Sequence, residues 1–378
     1  MSILREQICR GAADAIRRGG PDLGSTRALV GFDGFVDEII AVVDQRYDTE
    51  HYDRVETIEA MARKIAAAAG KSTNYELMVT RRKLGGNGPI MANALATLGL
   101  GVTYIGSLGQ PELDPVFREF ADRADVISIA NPGFTNALEF ADGKLMLSKL
   151  ETLHDVNWAN LTARVPLERL IRLIESSRLV GLLNWTELPG LTAIWDHLIL
   201  DVFPRFPRTD RILFIDLVDP EKRTVADIQA ALATLTRFQD QVDVVLGLNL
   251  KESTQVAAAL GLPVPGVGDD LTLTAASIRR TLGLSCVVIH PRQGAAAATL
   301  GETAEILGPF VEHPLISTGA GDHFNTGFCL GLILGMSLAQ SLAAGVATSG
   351  YYVRTANSPS TAELADFLDH LPAPEGLS

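Results

Sequence analysis

The chain has 378 residues, of which 47% are hydrophobic, and a formal net charge of −13 at pH 7. This size and apolar content suffice to bury a large core, either as one large α/β domain or as two smaller ones. The acidic balance argues against sequence-independent binding to nucleic acid or to anionic membranes. Cys9, Cys286 and Cys329 are widely spaced, which predicts neither a disulfide framework nor a zinc site.

The beginning of the chain carries no apolar leader segment, because Arg5, Glu6 and Arg10 interrupt it. No apolar stretch is long and uncharged enough to predict a membrane span. We therefore expect a soluble, cytoplasmic protein.

The first part of the chain mixes helical and extended patterns. An amphipathic pattern predicts a helix at residues 2–18, and apolar runs predict strands at 27–32 and 75–79. An extended segment is expected at 35–43 and a helix at 56–69. The cationic triplet Arg81, Arg82 and Lys83 follows, and it indicates either a solvated charge run or cations for a phosphate group.

From residue 89 onward, helices and strands alternate along the chain. Helices are expected at 89–98, 115–124, 167–176, 192–202, 225–238, 251–260 and 272–282, with closing helices at 338–353 and 362–368. Strands are expected at 102–105, 179–183, 212–217, 242–246 and 286–290. This alternation predicts an α/β fold with a mostly parallel sheet sandwiched by helices.

Four extended segments do not fit that alternation. Asp142-Gly143 joins the segments 134–140 and 144–149 and is a strong hairpin signal. Together with the segments at 35–43 and 75–79, this hairpin predicts a small β-sheet lid, made by approximately residues 35–84 and 133–150. We expect the lid to lie over the carboxyl ends of the main strands, where ligands bind in such folds. Its exposed edges could pair across a homodimer through the lid, and the oligomeric state stays open from the sequence.

A glycine-rich turn at residues 318–322 opens an apolar helical pattern. Its residues are Thr318, Gly319, Ala320, Gly321 and Asp322. The free N–H groups of a first helical turn bind anions, and glycine lets the backbone approach the ligand closely. A carboxylate at this place suits a base that takes a proton from an attacking hydroxyl. The alternative is a helix start with glycines for packing and an aspartate that stabilises the helix dipole.

This turn resembles the second signature of the ribokinase-like (PfkB-type) carbohydrate kinases, in which D-T-x-G-A-G-D-x-F precedes a glycine-punctuated helix. Asn325 and Gly327 also fit, whereas Ile316 replaces the family's leading aspartate. Residues 85–99 resemble the first signature, although its asparagine falls on Ile90 and the chain has Asn87 and Asn93 instead. The resemblance covers most of the chain and implies one ribokinase-like domain over residues 1–378.

The resemblance implies phosphorylation of a sugar hydroxyl by ATP, with Asp322 as the general base and the N–H groups of 319–321 as the anion hole. It also implies that Gly85, Gly86, Asn87 and Asp37 bind the sugar, with Asp33 as a rival to Asp37. Carboxylate and amide groups suit such a substrate, because they can bond to neighbouring hydroxyls. The structural alternative for the glycines and Asn87 is a turn before a helix that the asparagine caps. For Asp33 and Asp37 it is a solvated loop carboxylate.

The same resemblance implies a nucleotide site. Asn249 and Glu252 match the family's N-x-x-E motif, which predicts Mg²⁺ near Glu252; the alternative is a helix capping box. His290, Gly294, Thr318, Asn325 and Asn357 are further candidates for the nucleotide, and the Asn357 segment also for a monovalent cation. Pro291 stands near the position of a family glycine and has no backbone N–H to donate to the nucleotide. His290 or Arg292 would compensate for that missing donor.

Three other functions stay open from the sequence. One is a nucleoside kinase, and another is a kinase with a phosphoryl donor other than ATP, motivated by Pro291 in the nucleotide loop. A catalytically silent sugar-binding or regulatory protein is the alternative of a different class, motivated by Ile90, Pro291 and Ile316 at motif positions. His323, which follows the expected base, is predicted to have a packing role or to support its neighbours, because one helical residue rotates by about 100°.

Overall fold

Two β-sheets organise the chain in the computed structural model, which describes residues 3–266 and 268–375. The strands are β1 (Arg27–Phe32), β2 (Phe35–Arg46), β3 (Tyr52–Arg54), β4 (Leu77–Gly85), β5 (Gly101–Ser107), β6 (Asp125–Ala130), β7 (Gly133–Phe140), β8 (Gly143–Lys149), β9 (Leu179–Leu183), β10 (Ile212–Asp216), β11 (Asp243–Leu248), β12 (Cys286–Ile289), β13 (Gly294–Thr299) and β14 (Thr303–Leu307).

The helices fall mostly between these strands and in the last quarter of the chain. They are α1 (Ile3–Gly19), α2 (Ile58–Ala67), α3 (Asn87–Thr97), α4 (Arg118–Ala121), α5 (Trp158–Arg164), α6 (Leu167–Ser176), α7 (Leu191–His197), α8 (Val225–Gln239), α9 (Leu250–Ala259), α10 (Leu271–Leu282), α11 (Ala320–Ile333), α12 (Leu338–Thr355) and α13 (Thr361–Asp369). Among the described helices, none combines the length and apolarity needed to cross a membrane.

The larger sheet has nine strands in the order β14-β13-β12-β11-β10-β9-β1-β5-β6. Seven of them, from β12 to β6, are parallel, and β13 and β14 add an antiparallel edge. The central strands are continuous apolar runs, as expected where helices cover both faces. Helices α5–α10 pack on one face, and α1, α3, α4 and α11–α13 pack on the other. The predicted sandwich is therefore confirmed.

The second sheet, here called the lid sheet, consists of β2, β3, β4, β7 and β8. β2 pairs with β4 on one side and β7 on the other, and β7 forms the predicted hairpin with β8 through Asp142-Gly143. Helix α2 covers one face, where Ile40 and Leu138 form a small core with Met61. The opposite face carries Asp37.

Several predicted boundaries were wrong. The strand expected to end at residue 79 continues to Gly85, because residues 77–85 pair with β2, so the cationic triplet lies inside a strand. The helix expected at 115–124 is a short 3₁₀ turn followed by α4, and that expected at 192–202 changes to π geometry after His197. Strands β3, β6, β13 and β14 and helix α5 were missed. The three cysteines are buried free thiols.

Candidate active site

Polar residues follow the carboxyl ends of neighbouring parallel strands in the large sheet. Because these ends meet at one edge, side chains from distant parts of the sequence come together there. The residues that directly follow β1, β9, β11 and β12 are Asp33, Asn184, Asn249 and His290, and β10 itself ends in Asp216. This edge is the candidate active site.

Asp33 fixes the start of helix α3. Its Oδ2 accepts from the backbone N–H of Asn87 at 2.9 Å and from Asn184 Nδ2 at 3.0 Å, and its Oδ1 accepts from the N–H of Gly88 at 2.9 Å. Burial raises the pKa of Asp33 to about 6, against the effect of these hydrogen bonds. Tyr104 also donates to its Oδ1, at 3.3 Å. Protein donors therefore occupy most of the accepting positions of this carboxylate.

Asp37 lies on β2 and has more free accepting capacity than Asp33. It is 4% exposed, and Thr135 on β7 and Lys83 on β4 lie opposite it in the register. Burial is the main cause that raises its pKa, and Lys83 opposes that rise. A Cβ atom at Gly85 would lie 2.4 Å from Asp37 Oδ1, so glycine is required there.

Asp322 lies in the first turn of α11. Its Oδ1 accepts from Asn87 Nδ2 at 2.9 Å, so Asn87 bonds to Asp33 through its backbone and to Asp322 through its side chain. The helix begins after Gly319, whose φ of 94° favours glycine. Burial raises the pKa of Asp322 well above its usual range, and Asp33 and Glu252 raise it further. The two glycine-rich stretches predicted from sequence therefore meet at one carboxylate.

Two aromatic side chains hold the glycine loop. His323 Nδ1 bonds to the carbonyl of Gly319 at 2.7 Å, and Tyr352 donates its hydroxyl to the carbonyl of Thr318 at 3.0 Å. The two rings stack with centroids 3.6 Å apart. His323 Nε2 bonds to Ser358 Oγ at 2.9 Å, which joins the loop to the C-terminal segment. The expected supporting role of His323 is thus confirmed.

Glu252 forms the capping box that was the structural alternative. Its Oε2 accepts from the N–H of Asn249 at 2.8 Å, and Asn249 Oδ1 accepts from the N–H of Glu252 at 2.9 Å. Glu252 Oε1 accepts from the N–H of Asp219 at 3.1 Å. Burial raises the pKa of Glu252.

Asp216 joins Glu252 and Asp322 in a cluster of buried carboxylates. Burial raises the pKa of Asp216 well above its usual range, and Glu252 and Asp322 contribute to that rise in this order. Asn325 donates Nδ2 to Asp216 Oδ2 at 2.8 Å, while its own buried Oδ1 has no hydrogen-bond partner among the described residues. In the described residues, no three potential ligands surround a common point.

His290 lies beside the glycine loop. Its ring stacks on Phe324 with centroids 4.7 Å apart, and its Cε1 would be 3.3 Å from a Cβ atom at Gly321. Burial lowers the pKa of His290 to about 4, so the ring is neutral at pH 7. The structure therefore brings His290 next to the predicted anion hole.

Two candidates are engaged elsewhere. Gly294 packs against the neighbouring strand, where a Cβ atom would lie 2.5 Å from the carbonyl oxygen of Ile306. Asn357 is exposed and donates Nδ2 to the carbonyl of Thr355 at 2.8 Å. Ser358, rather than Asn357, connects the C-terminal segment with the glycine loop.

Four residues near the site were not predicted as site residues from the sequence: Asn184, Glu187, Asp216 and Tyr352. Asn184 bonds to Asp33 and, at 3.1 Å, to Glu187. Its φ of 59° is a conformation that asparagine tolerates better than most residues. A usable signal existed for Asn184 and Asp216, since both stand at the carboxyl end of a predicted parallel strand. Tyr352 lies inside a helix and gave no such signal.

A family model for prokaryotic ketohexokinase matches residues 6–371. A ketohexokinase from Haloferax volcanii is 31% identical over 359 residues, which cover 94% of each chain. A carbohydrate kinase from Agrobacterium tumefaciens has the same fold, with a TM-score of 0.62, 18% identity and coverage of 92% of this chain and 98% of that one. The structure of Arabidopsis thaliana ribokinase complexed with ribose and ATP gives a TM-score of 0.61 at 16% identity, covering 91% and 98%. The chain therefore belongs to the prokaryotic ketohexokinase family and is a carbohydrate kinase with the ribokinase-like fold.

Proposed function

We propose that this kinase transfers the γ-phosphoryl group of ATP to a hydroxyl of a ketohexose, with Asp322 as the general base. The observation that carries the proposal is the 2.9 Å bond from Asn87 to Asp322, which places the carboxylate between the glycine loop and the start of α3. The name of the Haloferax volcanii relative favours a ketohexose over an aldose or a nucleoside.

The sugar is held by Asp37, Asn87 and the backbone of Gly85 and Gly86. Asp37 is preferred to Asp33 because protein donors leave more of its oxygens free. A carboxylate accepts bonds from two neighbouring hydroxyls, which orients the reacting alcohol toward Asp322. Asp33 acts indirectly, since it fixes the first turn of α3.

In the reaction, Asp322 takes the proton of the sugar hydroxyl as the oxygen attacks the γ-phosphorus. The N–H groups of Gly319, Ala320 and Gly321 stabilise the charge on the phosphoryl oxygens. Tyr352 and His323 contribute by bonding the loop's carbonyl oxygens, and the N–H of Ala320 would exchange its 3.2 Å bond to the carbonyl of Ser317 for the anion.

Mg²⁺ fits the acidic cluster of Asp216, Glu252 and Asp322. The observation that supports the fit is that the three carboxylates are buried, that Glu252 and Asp322 raise the pKa of Asp216, and that Glu252 raises the pKa of Asp322. A divalent cation would relieve these effects. Both oxygens of Glu252 already accept backbone N–H groups. These residues would therefore hold the ion largely through its waters, as Mg²⁺ prefers. When bound, Mg²⁺ would neutralise charge on the nucleotide phosphates.

The test is an assay of ADP release with Mg-ATP over ketohexoses, aldoses and nucleosides, run on the wild type and on Asp322→Asn. The variant is expected to lower kcat by roughly 10²–10⁴-fold, the usual contribution of a general base. Ketohexose affinity measured by calorimetry should change little, because the sugar is held mainly by other residues.

Asp227→Asn is the matched control, since Asp227 also lies in the first turn of a helix but on α8. It should leave kcat unchanged. Wild-type turnover by Asp322→Asn would refute the assignment of the base, and turnover restricted to nucleosides would replace the substrate class.

A further inference from the structure

The three consecutive cations on β4 do not point the same way. Side chains alternate between the two faces of a strand, and in the register with β2 Lys83 lies opposite Asp37 while Arg82 lies opposite Glu38. Arg82 Nε contacts Glu38 Oε1 at 3.2 Å on the face away from Asp37. Arg81 and Lys83 therefore share the face of the lid sheet that carries the proposed sugar ligand.

The face that carries Asp37, Arg81 and Lys83 continues along β4 to the site, because β4 ends at Gly85 and is followed through Gly86 by Asn87, which donates to Asp322 at 2.9 Å. Arg81 lies four residues before Gly85 on that face. Tyr352 bonds to the carbonyl of Thr318 at 3.0 Å, and burial raises its pKa to about 12. Arg81 acts against that rise, which agrees with a position of Arg81 on the site side of the lid sheet.

The three cations of the triplet differ in their partners. Arg82 is paired with Glu38, and Lys83 is half-buried beside Asp37. Arg81 is exposed and forms no hydrogen bond or ion pair with any residue of 3–266 and 268–375. An unpaired guanidinium on the lid-sheet face that carries Asp37 points to an anionic partner that comes with the substrates.

We propose that Arg81 is a catalytic residue supplied by the lid sheet, and that its guanidinium binds the phosphoryl group during transfer. This inference rests on the proposed function. As the bond from the γ-phosphorus to the bridging oxygen breaks and the bond to the sugar oxygen forms, the hydroxyl proton moves to Asp322. Arg81 forms no covalent bond; its planar fork of N–H donors matches two phosphoryl oxygens and offsets the charge that develops on them.

A phosphate already present on the sugar is the other anion that this guanidinium suits. The two cases differ in kinetics. A contact to the transferring group acts mainly in the transition state and therefore on kcat, whereas a contact to an existing sugar phosphate acts on binding and therefore on KM. The unphosphorylated ketohexose and its monophosphate are the two substrates that separate them.

The experiment compares Arg81→Ala, Arg81→Lys and the matched control Arg82→Ala by steady-state ADP release. Arg81→Ala is expected to lower kcat with the free ketohexose on the order of 10²–10³-fold, as for removal of one donor to a developing anion. The KM for the sugar should stay within about threefold. Arg81→Lys should recover part of kcat, because the charge returns without the bidentate fork. Arg82→Ala should retain wild-type kcat.

Thermal unfolding and calorimetric sugar binding check that each variant is folded. Equal kcat values for Arg81→Ala and Arg82→Ala would overturn the inference while the kinase function stands. If Arg81→Ala only raises the KM for the sugar monophosphate, the inference is also overturned, because Arg81 would then bind the phosphate already present on the sugar. If the folded wild type releases no ADP with any ketohexose, the proposed function and this inference both fail.

Discussion

At the scale of single residues, Asn87 bonds to two carboxylates of the site and stands three residues before the position of the family's asparagine. Its backbone N–H bonds to Asp33 and its side-chain amide to Asp322, both at 2.9 Å, whereas the family's asparagine position is occupied by Ile90. Asn93, the other candidate, accepts from Arg123 at 3.1 Å outside the site. The prediction of Asn87 rather than Asn93 agrees with helical geometry, since Asn87 is the first residue of α3 and its side chain reaches Asp322.

His323→Phe tests how far the glycine loop depends on side-chain support. Phenylalanine preserves the stack on Tyr352 but leaves the carbonyl of Gly319 without the 2.7 Å bond. Loss of one such bond is worth about 0.5–1.5 kcal/mol. We therefore expect kcat to fall roughly three- to tenfold and the KM for ATP to rise, with ketohexose affinity unchanged in calorimetry.

His370→Phe is the matched control for that experiment. His370 Nδ1 bonds to the carbonyl of Asp366 four residues earlier, at 3.0 Å, as His323 does to Gly319, but His370 directly follows α13. Its substitution should leave both kinetic constants unchanged. If the two variants behave alike, the loop does not depend on His323.

At the scale of elements, apolar runs made the buried strands predictable. The bounds of β1 and β9 agree with the predicted 27–32 and 179–183, because both are short apolar runs buried between helices. β13 was missed because its alanines carry no β-branched or aromatic signal. β4 was cut short because its second half is polar, and its pairing with β2 is a long-range contact that no local pattern reports.

Capping boxes on two helices allow the structural role of Glu252 to be measured apart from its role at the site. Glu252 on α9 and Glu363 on α13 both complete capping boxes. Each substitution by alanine should lower the free energy of unfolding by about 1 kcal/mol. Only Glu252→Ala should also raise the Mg²⁺ concentration needed for half-maximal turnover. Urea unfolding and Mg²⁺ titration measure the two effects.

An unchanged Mg²⁺ requirement in Glu252→Ala would assign Glu252 to the cap alone. A rise of the same size in Glu363→Ala would show that loss of a cap, and not of an acidic group at the site, changes metal affinity.

At the scale of the whole molecule, the fold gathers several carboxyl groups into one buried region. Asp33, Asp37, Asp216, Glu252 and Asp322 all have pKa values raised mainly by burial. No local pattern revealed this burial, because it follows from strand ends that are distant in sequence. Burying these acids costs stability, and buried carboxyl groups with shifted pKa values are typical of ligand sites.

These shifts predict that stability falls as the pH rises. A group with a raised folded-state pKa binds more protons in the folded than in the unfolded state. Its contribution to the free energy of unfolding is complete below its unfolded-state pKa, near 4, and is lost as the pH rises through its folded-state pKa. For Asp33 that window ends at about 6, and for Asp216 and Asp322 it lies higher. Urea unfolding should therefore give a lower free energy at pH 8 than at pH 5.

Asp216→Asn should reduce that difference, because it removes one of the groups whose pKa burial raises most. Rotation of the Asn325 amide would let its unpaired Oδ1 accept from the new side-chain amide, so the variant should remain folded. Each pH unit over which the folded state holds one extra proton changes the free energy by about 1.4 kcal/mol. The exposed Asp227→Asn is the control and should keep the wild-type pH dependence. If Asp216→Asn keeps it too, the burial of charge at this edge does not limit stability.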